Sequence, residues 1–220
     1  MAPNPFSMPF ERLPSILPIF PLADAIVMPR CQLPLNIFEQ RYIDMVLDAL
    51  RAERLIGMVQ PDPSGSGEGE PIFRTGTAGR IVSFSETSDG RFLIMLTGVC
   101  RFDILEEIPT HHGYRRVLAD WTRFRRDYES PSEGIGYDRT RLMALLREYF
   151  QRKGFETHWE NLEQVPVPLL ANVLAGQLPF NPPERQALVE TAAPEEIVAK
   201  LINLLEFDVV GVMAGDGRQH

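Results

Sequence analysis

The sequence predicts an α+β protein: a mostly antiparallel, strongly bent sheet or small open barrel over residues 14–125, then a small helical bundle over 126–213. Three observations predict it. Between Leu13 and Met45 the apolar spacing changes from strand-like alternation to the 3.6-residue period of a helix. From Gly76 to Phe124 one strand pattern follows another across turn residues, with no second helix in the first 125 residues. Beyond Tyr137 the apolar residues recur only at helical spacing. Residues 1–13 read as an extended tail and residues 214–220 as a disordered C-terminus.

Ile16–Leu17, Ile19–Phe20 and Ile26–Val27 are short apolar runs cut by Pro18, Pro21 and Pro29. Proline has no N–H for a central ladder, so these are expected as short edge-like strands. Leu33, Leu35 and Ile37 alternate with Pro34, Asn36 and Phe38 and predict one more half-buried strand. From Glu39, taken as the N-cap, Tyr42, Val46, Ala49 and Leu50 mark an amphipathic helix. Leu55–Val59 is a strand, and Pro61–Pro71 is a connection with no apolar residue. Ala78, Arg80, Val82 and Phe84 share one strand face. Thr87–Gly90 supplies a turn ending in Asp-Gly. Gly98 marks a bulge or a close backbone approach, and Tyr114–Phe124 is the last strand.

The helical part begins after Arg125–Tyr137, a boundary containing Ser130–Pro131–Ser132 and two glycines. Four helices are expected. Leu142, Leu145, Leu146, Tyr149 and Phe150 form the stripe of the first, stopped by Gly154. Val167–Ala175 is the second, Asn181–Glu184 opens the third with a capping signature, and Pro194–Glu196 opens the fourth.

With 44% hydrophobic residues, 220 residues can bury a substantial core. The net charge is −8, and most of it lies in the helical part: residues 14–125 hold 12 basic and 14 acidic residues, residues 126–220 hold 9 and 15. Such a balance gives no basic stripe for nucleic acid, and Arg115, Arg116, Arg123, Arg125 and Arg126 read as a solvated strand face. Cys31 and Cys100 stand in apolar surroundings and belong to no paired motif, so two buried free thiols are expected. The N-terminus has no basic segment followed by an apolar run, and no run approaches the ~20 residues of a membrane span. The expectation is a cytoplasmic protein with no membrane contact.

Catalytic signatures are missing from the sequence. Its two lysines, Lys153 and Lys200, stand in no Gly-Lys-Ser/Thr loop, and GSGEG at residues 65–69 opens no helix. There is no G-x-S-x-G and no H-E-x-x-H. His111–His112 has no third ligand nearby in sequence, and the neighbours Glu106 and Glu107 point to opposite faces of a strand. Asp24, Glu39 and Arg41 are polar groups within the apolar opening. They read as a cap and a structural ion pair, with Arg41 expected to be buried and paired. No enzyme, metal or cofactor is expected.

LPIFPL, V-M-P and LPLNIFEQRY within Leu13–Met45, RTGTAGRI at 74–81, LTGVCRFDI at 96–104 and LLANVLAGQLPF at 169–180 occur in an order that resembles the N-terminal domain of Lon protease. The likeness is to the version found in small bacterial proteins without the ATPase and peptidase regions, and covers roughly residues 13–210. Gln40 and Met28 stand where that family usually has Pro and Phe, and the family usually has a Gly near Arg30–Cys31. The resemblance implies a PUA-like, Lon N-domain-type barrel and a non-catalytic module that binds unfolded or apolar protein segments, or works as an adaptor beside a protease. The alternative it implies is a PUA-like binder of RNA or a small molecule. Phe6, Met8 and Phe10 alternate among Pro3, Pro5 and Pro9, so the tail offers three apolar side chains on one side as candidate partner-binding residues. It either covers its own groove or fills a neighbour's and makes a weak homodimer.

Overall fold

A computed structural model describes residues 8–23, 25–66, 70–109, 112–129 and 136–215, with side chains as far as Val209. Phe6, Asp24, His111 and the last five residues lie outside that set. The chain divides into two compact units, Met1–Glu129 and Ser130–His220.

The first unit is a six-stranded mixed sheet that curls back on itself. Its strands are β1 (Ile16–Pro21), β2 (Gln32–Ile37), β3 (Leu55–Val59), β4 (Thr75–Glu86), β5 (Phe92–Ile108) and β6 (Arg115–Asp120), in the order β2-β5-β4-β3-β1-β6. The 17 residues of β5 make the closure possible. Their first half lies between β2 and β4, and their last residues, from Asp103, pair with β6, which also pairs with β1. Bulges near Gly79, Val82 and Leu105 bend the ring, so it is an irregular pseudo-barrel rather than a clean one.

Two expectations about the strands are corrected. β1 is one strand through Pro18 and lies inside the sheet, not at an edge. β6 covers Ile16–Ile19 and β3 covers only Ile19–Pro21, so at Pro18 one side of the strand is free and no N–H is needed there. The β1–β3 pairing is parallel, which the hairpin-like sequence did not suggest. Leu17 and Ile19 turn to one face and Phe20 to the other, all three buried. Ile26–Val27 forms no strand; Pro29 makes a single bridge to Gly98 instead.

Helix α1 (Gln40–Arg51) covers one face of the sheet. Tyr42, Met45, Val46 and Ala49 recur at helical spacing and pack on Phe20, Ile56, Met58, Ile81, Phe92, Ile94 and Leu96. Each large apolar side chain fully buried there contributes about 1.5–3 kcal/mol. Phe84 joins this face, edge-on to Phe92 with ring centres 4.8 Å apart, because the bulge after Ile81 adds a residue and breaks the alternation read from the sequence. Gly98 is the close approach expected. A Cβ there would stand 2.1 Å from the Met28 carbonyl oxygen, where the segment before β2 crosses β5. Arg30 takes a left-handed conformation with φ 67°.

The last strand ends at Asp120, earlier than expected. Asp120 accepts from the Thr122 N–H, and residues Thr122–Tyr128 form a 3-10 turn. A buried ion pair holds that turn. The Asp127 carboxylate accepts from the Arg101 Nη2 at 2.6 Å, its Nε at 3.0 Å and its backbone N–H at 2.9 Å. The two side chains are 1% and 5% exposed, and the guanidinium lies 4.7 Å from the Phe124 ring centre. The sheet unit therefore reaches Glu129, beyond residue 125.

The second unit contains α2 (Arg139–Lys153), α3 (Trp159–Gln164), α4 (Val167–Gln177), α5 (Pro182–Glu190) and α6 (Pro194–Gly215). α6 packs against α2, α4 and α5, burying Leu142, Leu146, Leu174, Leu188, Leu201 and Leu205. Gly154 ends α2 at φ 69°, and Asn181 with Glu184 makes a full capping box on α5. α3 is a fifth helix; its six residues are too few to show an apolar period.

Candidate protein-binding surface

Among the described residues the open edge of the sheet belongs to β2, which bonds β5 alone. Leu33, Leu35 and Ile37 turn inward, leaving Gln32, Pro34 and Asn36 exposed. Pro34 sits opposite Met95 and has no N–H to give β5, so its nitrogen belongs on the open side. A second chain could bond this edge at Gln32 and Asn36, and Pro34 keeps it from being a continuous template. Two exposed apolar side chains lie at its end. Phe38, 66% exposed, follows the strand; Leu93 lies opposite Asn36 and is 45% exposed; Val82 and Phe84 are exposed on β4. Phe38 and Leu93 thus lie beside the unpaired backbone, whereas Val82 and Phe84 stand one strand further in, on β4, with Phe84 on the α1 face.

A second concave region runs along α1, and Tyr114 lines both of its hollows. Towards the start of the helix lies a polar cavity of about 360 Å³, walled by Arg41, Tyr42, Glu70, Glu107, Tyr114 and Arg115. Its charges are tied: Arg115 donates to Glu107 at 2.8 Å and to the Glu70 carbonyl at 2.7 Å. Towards the helix end lies a smaller trough of about 160 Å³ between α1 and the start of β1, with Ile16, Ala49, Ala52 and Leu55 in its wall. Asp48 fastens the divide. It accepts from the Tyr114 hydroxyl at 2.9 Å and lies 2.6 Å from His112 Nδ1. The bond with His112, then that with Tyr114, holds the Asp48 carboxyl below the usual carboxylate range. Burial, aided by Asp48, pushes the Tyr114 phenol up to about 12.

The residues singled out in the sequence fall in separate places. Phe6 lies outside the described residues. Met8 is half-buried, and Phe10 opens a 3-10 turn, Phe10–Arg12, instead of continuing an extended tail. The Phe10 ring meets Tyr128 edge-on at 5.5 Å and lies under the Arg125 guanidinium, which also pairs with Glu11 at 2.7 Å. Arg41 is not buried. It pairs with Glu39 at 2.9 Å with half of each side chain in water, and Glu39 makes no cap hydrogen bond. Cys31 and Cys100 are free thiols, and burial pushes Cys31 up to about 11. Among the described residues no group of three or more His, Cys, Asp or Glu is placed to hold a metal, and no helix is long and apolar enough to cross a membrane. Sequence reasoning missed the Arg101–Asp127 pair and the α1 trough, because the residues that build them come together only in the folded sheet.

Residues 16–206 match the family described as the ATP-dependent protease La (LON) substrate-binding domain. Among known relatives, Lon protease 2 of Myxococcus xanthus is 26% identical over 204 residues, which is 88% of this chain and 24% of that protein. The Lon protease of Cytophaga hutchinsonii is 32% identical over 206 residues, 90% of this chain and 25% of that protein. The chain thus spans about a quarter of the length of these relatives. The fold is that of the Lon N-terminal domain protein from Xanthomonas campestris, with a TM-score of 0.62 at 23% identity, covering 86% of this chain and 97% of that one. The N-terminal domain of the Mycobacterium avium complex Lon protease gives a TM-score of 0.59 at 18% identity, covering 87% and 98%. A match over residues 16–206, carried by a sheet and helical unit of the same fold, places this chain in the Lon substrate-binding domain family.

Proposed function

We propose that this chain binds extended, apolar-rich segments of unfolded proteins and performs no chemistry on them, serving cytoplasmic proteolysis or quality control as a recognition module or adaptor. The observation that carries the reading is the open β2 edge beside the exposed Phe38 and Leu93. An unfolded segment supplies what that edge lacks, main-chain partners for Gln32 and Asn36 and apolar side chains for Phe38 and Leu93. A folded partner already has its backbone bonds made. Membership of the Lon substrate-binding family and the absence of catalytic motifs from the sequence support the same reading. Phe6, Met8 and Phe10 act in it as a cover that competes with weak clients, since apolar area leaving water contributes ~25 cal/mol per Å².

Fluorescence anisotropy with labelled, reduced and carboxymethylated α-lactalbumin tests the proposal. The full chain should bind, and Phe38→Asp with Leu93→Glu should weaken binding about tenfold or more. A chain beginning at Glu11 should bind more tightly than the full chain. Binding by the full chain weaker than about 1 mM would sink the reading. Equal affinity and equal mass by light scattering for the two chain lengths would remove the tail from it.

A further inference from the structure

We propose that the side chains of Arg125 and Tyr128 form a seat for an aromatic residue followed by an acidic one in an unfolded client, and that Phe10 and Glu11 of this chain fill it as an internal stand-in. The inference rests on the proposed function in taking the ligand to be unfolded polypeptide. It names the place where the tail acts and the clients for which it stands in.

The 3-10 turn Thr122–Tyr128 brings the two side chains together, because residues three apart in such a turn stand on one side of it. The turn is fixed from beneath. Asp127 is locked to Arg101 in the buried pair, and the Phe124 ring lies between the guanidinium of Arg101 at 4.7 Å and that of Arg123 at 4.5 Å. Trp121, just ahead of the turn, is buried and donates to the Pro14 carbonyl. The seat is therefore in place before a ligand arrives.

Its present occupant is held loosely. Phe10 meets the Tyr128 ring edge-on at 5.5 Å, the Arg125 guanidinium lies 4.6 Å from the Phe10 ring centre, and Glu11 reaches that guanidinium at 2.7 Å. The two side chains of the ion pair are 64% and 66% exposed, so water competes with it. Among the described residues, the backbone bonds between Met8 and Leu13 run from Arg12 to Pro9 and from Leu13 to Phe10, both within the segment. The first main-chain group tied to the sheet unit is the Pro14 carbonyl. The Tyr128 hydroxyl is buried with no hydrogen-bond partner among the described residues, and Phe10 has no polar atom to offer it. Side-chain contacts alone, made on a rigid seat, are contacts that a separate peptide can replace.

The charges around the turn agree with an acidic neighbour. Arg123 is paired with Asp103 at 2.6 Å, Asp127 with Arg101, and Arg126 lies 3.8 Å from Glu129. Asp120 is spent on the Thr122 N–H at the far end of the turn. Arg125 has Glu11 as its one ion-pair partner among the described residues, and Arg12 leaves with the tail. Arg30, which donates to the Glu129 carbonyl, adds a second cation and no acid. A vacated seat thus presents a guanidinium without a counter-ion, which favours a carboxylate on the incoming chain.

Fluorescence anisotropy tests the seat with the full chain, a variant in which it is vacated by Phe10→Ser with Glu11→Ser, and three fluorescein-labelled decapeptides. These have a Gly/Ser background and the cores Pro-Phe-Glu, Pro-Phe-Lys and Pro-Ser-Glu. The vacated chain should bind Pro-Phe-Glu about tenfold or more tighter than Pro-Ser-Glu, from the ring contacts. It should bind it about twofold to fivefold tighter than Pro-Phe-Lys at low salt, from the exposed pair with Arg125. The full chain should bind Pro-Phe-Glu about tenfold or more weaker than the vacated chain, because a tethered occupant competes at an effective concentration of about millimolar. Arg125→Glu in the vacated chain should reverse the preference for Glu over Lys, and Arg125→Gln should erase it, with thermal melting confirming that each variant is folded. If the vacated chain treats the three peptides alike while the full chain binds carboxymethylated α-lactalbumin, the seat falls and the proposed function stands. Equal affinity of the full and vacated chains for Pro-Phe-Glu would overturn the stand-in. A preference for Glu that survives both changes at Arg125 would overturn the seat. The expected peptide order without binding of α-lactalbumin would support the seat and overturn the proposed function.

Discussion

Replacing Asp127 by alanine removes the carboxylate that pins the 3-10 turn Thr122–Tyr128 to β5 and leaves the Arg101 guanidinium buried without its counter-ion. The side chains are 1% and 5% exposed, so water cannot take over the three hydrogen bonds that Asp127 accepts. Breaking a buried pair from one side costs ~3–5 kcal/mol. At the ~1–3 kcal/mol per M typical of urea unfolding, the midpoint should fall by roughly 1–5 M, about 2 M for mid-range values. Asp127→Asn should cost nearly as much, because its amide presents N–H groups to a guanidinium that offers only donors. Arg101→Met with Asp127→Leu should cost less than Asp127→Ala, because no charge is left buried. Each unit carries one tryptophan, Trp121 and Trp159, so the measurement can be confined to the sheet unit. Trp121 is buried there, with its indole N–H donating to the Pro14 carbonyl at 3.0 Å. In a Trp159→Phe background its fluorescence follows that unit through a urea titration. An Asp127→Ala midpoint within about 0.3 M of the parent would show that the pair is not sealed from water, and the reasoning would fail.

Arg41→Ala should change stability by no more than about 1 kcal/mol, since its pair with Glu39 is half in water, and thermal melting should leave the midpoint nearly unmoved; a large loss would mean that Arg41 supports α1 through more than that pair. At alkaline pH the Tyr114 phenol, raised to about 12 against ~10 in the unfolded chain, favours the folded state fully below pH ~10, and that contribution is lost as pH rises through about 12. Absorbance at 295 nm should show late-titrating tyrosine that diminishes in Tyr114→Phe, and an unchanged titration curve in that variant would contradict the burial of Tyr114.

What the sequence determined by itself were the features whose physics is local. The capping box Asn181–Glu184, the stop at Gly154, the turn Thr87–Gly90 and the apolar stripe of α1 depend on residues three or four apart, and each stands where the pattern puts it. The need for a glycine at Gly98 was also legible, though the carbonyl it makes room for was not. The order of motifs along the chain carried the family. Tertiary structure decided the rest, because it depends on partners far away in sequence. Pro18 reads as an edge signal, yet β1 lies inside the sheet, because β3 and β6 cover different halves of it. Tyr114–Phe124 reads as one strand, yet Asp127 folds its end into a turn against Arg101, 26 residues away. Arg41 reads as a buried ion and is an exposed one. The α1 trough has no sequence signal, because it is a space left between Ile16 and Ala52, and spacing along a chain reports which side chains share a face and not which gaps between elements stay unfilled.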